Sequence, residues 1–246
     1  QLAAVARMQD FIAANLAKPI TLKMLAAAAG YSLWHSARLF AEHTGKAPFE
    51  YIRALRLSQA ARRLWDENGK IIDVAFDFVF DSHEGFTRAF SREFGVTPHA
   101  YRKNPTPIRL FLPANVQDRH RVLEGGVFEM SDPTPVKTIF TQVVERPGRK
   151  LILKRGINAS HYYEYCREVG CDIWGILTSI RGALYEPVGL WLPYRFRPAG
   201  TSRYAQGVEM PLDYSGPVPD GFELVELPPC KMMVFQGEAY DDSRFE

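Results

Sequence analysis

The chain has 246 residues, of which 46% are hydrophobic and 24% charged. These values sit close to globular averages of about 45–50% and 25%, which excludes wholesale disorder, a collagen-like repeat and a coiled-coil rod. No stretch of ~18 uncharged apolar residues occurs, so neither a membrane span nor a membrane partner is expected. The formal charge of +2 hides a split. Residues 1–110 carry 15 Lys/Arg against 10 Asp/Glu, whereas residues 111–246 carry 15 against 18. Residues 1–104 hold 5 Gly and 3 Pro, and residues 105–246 hold 13 and 14. That shift marks a boundary between a helix-rich, mildly basic half and a turn-rich, mildly acidic half.

Helix signals are dense in the first half. Val5, Met8, Ile12 and Leu16 recur at three or four residues, giving an amphipathic helix stopped by Lys18-Pro19. Thr21 caps a helix over 22–29, and Gly30 closes it. Ser32 caps a helix over 33–43, closed by Gly45. Pro48 opens a longer helix to about Trp65. A helix over 71–78 follows, then one capped by Ser82 and closed by Gly95, then a short one opened by Pro98.

A shift of fifty residues superposes this pattern on itself. Ser32 falls on Ser82, Arg38 on Arg88, Phe40 on Phe90, Gly45 on Gly95, Pro48 on Pro98 and Tyr51 on Tyr101. The identities are caps, core positions and one basic residue, so two copies of one helical unit are expected. Each copy is a short helix, a tight turn and a Ser-capped helix with an outward Arg. Such a unit places its second helix in the DNA major groove. Leu39, Phe40, Phe86 and Phe90 face the core in this reading. Trp34, Ala37 and Arg38 share one outer face, as do His83, Glu84, Thr87 and Arg88. Arg forks onto guanine, Glu accepts from a cytosine amino group, and Trp34 packs on sugar or a thymine methyl. The helix between the copies spans about 25 Å. One monomer then reaches two successive major-groove faces, roughly 34 Å apart.

Residues 5–103 resemble the DNA-binding domain of the AraC/XylS family of bacterial transcription regulators. The matching stretches are Ile20-Thr21-Leu22, Leu25-Ala26, Gly30-Tyr31-Ser32, Arg38-Leu39-Phe40, Tyr51-Ile52-Arg53 and Arg56-Leu57. In the second copy they are Val74-Ala75-Phe76, Phe80-Asp81-Ser82, Phe86-Thr87-Arg88-Ala89-Phe90 and Tyr101-Arg102. The resemblance implies double-stranded DNA as partner, admits RNA polymerase as a further one, and implies a cytoplasmic regulator. DNA contacts then fall on Trp34, Ser36, Ala37, Arg38, Ser82, His83, Glu84, Thr87 and Arg88. The chain departs from the family pattern at two positions. Ala37 is short where a longer polar side chain is common. Val79 stands where the second turn often has Gly, so an altered turn is expected there.

Residues 105–135 are Pro-rich and read as a connector, with a strand at Arg109–Leu112. Beyond it, strands are expected at 136–144, 150–154, 187–192, 204–210 and 222–235, and helices at 161–168 and 173–184, the latter capped by Asp172. The C-terminal half, residues 136–246, is therefore α+β. No GxGxxG, Walker A, GxSxG or HExxH motif occurs, so neither an enzyme nor a cofactor is expected. Cys166, Cys171 and Cys230 fit neither a disulfide framework nor a zinc site, and buried or idle thiols are expected. Aromatics are frequent. A pocket of Trp174, Trp191 and Tyr204 with one acid, Glu209, suits a cationic or apolar effector.

Residues 136–240 also resemble the first part of a GyrI-like, or SOUL-like, effector-binding domain. The stretches are Val169-Gly170-Cys171-Asp172, Gly189-Leu190-Trp191-Leu192-Pro193, Tyr204-Ala205-Gln206-Gly207-Val208-Glu209 and Pro219-Asp220-Gly221-Phe222-Glu223. The resemblance implies β-α-β-β halves flanking a small-molecule cleft, with the second half due to begin near Asp241. The chain starts on Gln1 and ends on Glu246, and a fragment is expected. Two alternatives stay open for this half: a small-molecule hydrolase and a protein-binding module.

Overall fold

The computed structural model describes residues 1–66, 70–113, 116 and 139–237. Helix α1 (Leu2–Ala14) buries Val5, Met8 and Ile12 on one stripe. Helix α2 (Leu22–Ala29) starts where Thr21 Oγ1 accepts from Met24 N at 3.3 Å, and ends at Gly30 with φ 76°. Helix α3 (Leu33–Thr44) starts at Ser32, whose Oγ accepts from His35 N, and ends at Gly45 with φ 75°. Helix α4 runs Pro48–Asp66 and α5 runs Ile71–Asp77. Helix α6 (His83–Phe94) is capped by Ser82 and closed by Gly95 at φ 71°. Helix α7 (Pro98–Lys103) is capped by Thr97. Each cap satisfies an amide that the first helical turn leaves unpaired.

The 19 residues of α4 give a rod of about 28 Å, and the rod serves two cores. Tyr51, Ile52 and Leu55 join Val5, Met8, Leu25, Leu39 and Phe40 in the first. One turn further on, Leu57, Ala60, Ala61 and Leu64 join Phe86, Phe90 and Tyr101 in the second. The two copies read from the sequence are thus two packed units sharing one helix.

The turns of the two units are related but not identical. In the first, Tyr31 N donates to Ala26 O across left-handed Gly30. In the second, Phe80 N donates to Ala75 O across Val79, with φ 63°. Val79 is the one non-glycine residue with positive φ among the described residues. The left-handed conformation is therefore kept and the turn is altered in length. One residue, Tyr31, separates Gly30 from Ser32; two, Phe80 and Asp81, separate Val79 from Ser82.

The C-terminal region combines six strands and two α-helices among the described residues. Strands β1 (Phe140–Arg146) and β2 (Arg149–Arg155) flank a turn at Pro147-Gly148. Helices α8 (Tyr162–Val169) and α9 (Ile173–Thr178) follow. Strands β3 (Val188–Trp191), β4 (Tyr204–Met210), β5 (Glu223–Leu227) and β6 (Cys230–Gln236) complete it. One antiparallel sheet has the order β3-β4-β2-β5, and β1 pairs with β6 as a separate ribbon. One face of the four-stranded sheet packs Ile152, Tyr204, Val208 and Met210 against Tyr165, Ile173 and Leu177 of the helices. The other face buries Leu151, Leu153 and Ala205 with Leu192.

Several expected elements change. Residues 109–112 form no strand. Helix α9 stops at Thr178, short of Leu184. Ser179 Oγ donates to Ile176 O at 2.7 Å, competing with helical continuation. Asp172 makes no side-chain cap on α9 and instead pairs with Arg109. The single strand expected over 222–235 is two, broken at Pro228-Pro229, where proline removes ladder donors. Of the connector, residues 114–115 and 117–135 lie outside the described residues, as do 136–138 and the boundary near Asp241.

The described part of the connector is docked, not free. Phe111 N donates to Ser58 Oγ of α4 at 2.7 Å. Ile108 N donates to Ser179 Oγ at 2.9 Å. Ile108 and Leu110 are buried in the second helical core. A Cβ on Gly175 of α9 would lie 2.1 Å from Leu110 O, so only glycine admits this approach. Arg181 Nη2 reaches Trp65 O at 3.4 Å. The connector thus lies between the second helical unit and α9.

Candidate functional site

Helices α3 and α6 stand near opposite ends of α4, and each exposes a polar face. On α3, Trp34 is 71% exposed, Arg38 is exposed and Ala37 half-buried. The Arg38 guanidinium lies 5.1 Å from the centroid of the Trp34 ring. On α6, His83, Glu84 and Arg88 are exposed. Their i, i+1 and i+5 spacing keeps them off the Phe86–Phe90 core stripe. Ser82 is half-buried and its Oγ accepts from Gly85 N at 3.0 Å.

Two of the expected contact residues are placed differently. Ser36 is fully buried. It precedes Leu39 and Phe40 by three and four residues, which puts it on the core stripe of α3 and away from the outer face. Thr87 is half-buried with its hydroxyl shielded, so it offers no exposed hydroxyl beside Arg88. Between the units lies a groove of about 430 Å³, lined by Phe49, Arg53, Val79, Ser82 and Arg88 among others. Arg56 at its edge is committed: its Nε and Nη2 donate to Leu16 O and Lys18 O at 3.0 and 2.6 Å. Burial lowers its pKa from the ordinary arginine value.

A family model described as a helix-turn-helix domain matches residues 25–104. The right origin-binding protein of Escherichia coli K12 is 46% identical over 91 residues, 37% of this chain and 32% of that protein. The multiple antibiotic resistance protein MarA of Salmonella typhimurium is 37% identical over 93 residues, 38% of this chain and 73% of MarA. The chain belongs to the AraC/XylS family. It spans about a third of the length of the right origin-binding proteins it matches. Among solved structures, the DNA-binding domain of AdpA in complex with a target DNA is 29% identical. That match covers 41% of this chain and 90% of that one, with a TM-score of 0.39. An AraC-type regulator from Chromobacterium violaceum is 25% identical over 42% of this chain and 96% of that one, also with a TM-score of 0.39.

In this AraC/XylS-type chain the C-terminal aromatics are only partly assembled. Trp191 and Tyr204 meet edge to face at 5.1 Å, and Tyr204 meets Tyr165 at 5.4 Å. Trp191 stays 60% exposed while its Nε1 donates to Ser160 O at 2.9 Å. Tyr204 is buried, and burial raises its pKa above the usual tyrosine value. Trp174 is half-buried on α9. Glu209 does not join this cluster. It is five residues from Tyr204 in β4, and side chains of odd separation point to opposite faces of a strand. It pairs instead with buried Arg149, Oε1 to Nε 2.8 Å, so its charge is already matched.

Sequence reasoning missed the residues that join the halves. Ser58, Gly175 and Ser179 carry no motif, and their partners lie 53 to 71 residues away in the hydrogen-bonded cases. It also missed Glu168, whose carboxylate accepts from the amides of Ile157, Asn158 and Ala159.

Proposed function

We propose that the chain is a sequence-specific, double-stranded-DNA-binding transcription regulator whose C-terminal region takes a small-molecule effector. The observation that carries the first part is the pair of Ser-capped helices, α3 and α6, held near opposite ends of one α4 rod with exposed Arg38 and Arg88. Arg38, with Trp34 beneath it, and Arg88, with His83 and Glu84, read base edges in successive major grooves. Arg53 and the amino end of α6 face phosphate across the groove between the units. Ala37 contributes little beyond a methyl contact, so the first half-site is read mainly by Arg38. RNA polymerase is the further partner that a transcription regulator of this type engages, and the cytoplasm is its place of action.

The effector we assign is apolar or aromatic. Trp191, set edge to face on Tyr204, stays exposed, and the acid Glu209, on the opposite face of β4, is already paired with Arg149. The effector region reaches the DNA-binding unit through α9, the connector and α4.

The test is selection of duplexes from a random pool by the full chain, followed by anisotropy titration at several salt concentrations. Specific binding is expected at roughly nanomolar Kd, weakening steeply with salt. Absence of any enriched sequence overturns the proposal.

A further inference from the structure

The groove between the two helical units, about 430 Å³ in volume, falls within the ~300–1,000 Å³ of small-molecule sites. One wall is α4, whose Phe49, Arg53 and Arg56 share a face at i, i+4 and i+7. The other wall is the turn before α6, with Phe78 and Phe80, and Arg88 of α6 itself. The lining is divided in its chemistry. Phe49 is 53% exposed, and Phe78 and Phe80 are half-buried, so aromatic surface in the groove is uncovered. Phe80 is held against buried Phe86, with ring centroids 5.1 Å apart. Arg53 and Arg88 are exposed and donate to no protein acceptor among the described residues. Arg56 is already bonded to Leu16 O and Lys18 O, but its charge remains. Asp81 is the one carboxylate in the lining among the described residues, so the guanidiniums outnumber it.

We propose that this groove is a binding site for an amphipathic anion, one anionic group carried on a flat aromatic body. Arg53 donates charge-assisted hydrogen bonds to the anionic group, and the body lies against Phe49, Phe78 and Phe80. Neither half of such a ligand suffices alone. A small inorganic anion leaves the rings in water, and solvent screens its attraction to exposed arginines. A neutral arene covers the rings but leaves the guanidinium N–H groups beneath it without acceptors. The groove is separate from the Trp191 cluster, to which the uncharged effector is assigned.

Occupancy bears on DNA, and this consequence rests on the reading that gives Arg53 to a phosphate. One guanidinium holds either the ligand or the phosphate, so ligand and duplex exclude each other. Inhibition through the groove then needs no signal from the C-terminal region.

The test is an amide NMR titration of the full chain with 2-naphthalenesulfonate, run without DNA. Two comparators carry half of the chemistry each. Methanesulfonate has the anion without the body, and 2-naphthalenesulfonamide has the body without the charge. The amides of Arg53, Ser82 and Gly85 are expected to shift along one isotherm, with a Kd of about 1 mM or lower for a ligand of this size. Both comparators should bind about tenfold more weakly. R53Q should weaken the naphthalenesulfonate about tenfold and F49A about fivefold. Both residues are exposed, and the spectrum itself reports an intact fold. The Trp191 indole signal follows the other site separately. No shift at the three amides, equal binding of either comparator, or full binding by both R53Q and F49A would overturn the proposal. Duplex titrations follow at about ten times the ligand Kd, where the apparent duplex Kd should rise about tenfold. An unchanged duplex Kd overturns the exclusion and with it the phosphate contact of Arg53, whereas the DNA-free titration decides the groove by itself.

Discussion

Arg38 and Trp34 are four residues apart on α3, and the guanidinium stands 5.1 Å from the ring centroid. Residues at this spacing are neighbours on a helix surface, and an exposed cation–π contact contributes about 0.5–1 kcal/mol. Its larger effect is orientation, since a long side chain held over a ring loses less freedom on meeting a base. R38A is expected to cost about 1–3 kcal/mol of discrimination at one base pair. W34A is expected to weaken binding too, and the double variant should lose less than the sum of the two singles. A cycle of anisotropy titrations reads this directly. Additive losses would mean that Trp34 does not position Arg38.

Val79 sets up a second prediction. A β-branched residue at φ 63° is strained by about 1–2 kcal/mol relative to a right-handed conformation. Glycine removes that strain but adds unfolded-state freedom of about 0.5–1 kcal/mol. V79G should therefore raise stability modestly, by roughly 0.5–1 kcal/mol. Thermal denaturation checks it. A lower Tm would mean that the Val79 side chain, on the wall of the groove between the units, contributes more by packing than it loses by strain.

The helical half was legible because its signals are local. Thr21, Ser32, Ser82 and Thr97 cap the helices they precede, and Gly30, Gly45 and Gly95 close three of them. The outer face of α3 was legible too, except at Ser36. The family resemblance implies a DNA contact at Ser36, but its spacing to Leu39 and Phe40 puts it in the core. S36A should leave DNA affinity unchanged, and with no partner for its hydroxyl among the described residues it should not destabilise the fold. The second half was less legible because its order comes from distant pairs. Arg149 neutralises Glu209 from 60 positions away in a different strand, which no local pattern reveals. The docking of the connector depends on two serine hydroxyls and the missing side chain of Gly175.

The carboxylate of Glu168 gives the chain a pH-dependent element. Partial burial opposes its charge, but three backbone amides accepted by its oxygens hold its pKa below the ordinary glutamate value. A carboxylate depressed on folding stabilises the fold above its unfolded pKa of about 4.3. That contribution is lost as pH falls through the lower folded value. E168Q should therefore be less stable than the wild type at pH 7, with the gap closing below about pH 4. Urea midpoints at the two pH values decide it, and a gap that stays constant would assign Glu168 a purely steric role.

The connector supplies the strongest structural prediction. Leu110 O occupies the space where a Cβ on residue 175 would sit, at 2.1 Å, a separation no backbone tolerates. G175V must displace either α9 or the connector, and with it the amide bonds of Ile108 and Phe111. S58A and S179A act more gently, leaving the part-buried Phe111 amide and the buried Ile108 amide, respectively, short of an acceptor at about 1–3 kcal/mol each. If the docked connector carries the effector signal, S58A and S179A should weaken the change in DNA affinity that an effector produces. Affinity without effector should shift much less, because α3 and α6 keep their own cores. Coupling compares the two affinities in each variant. Full coupling in both serine variants, with G175V folded and equally responsive, would remove the connector from the path between the two halves.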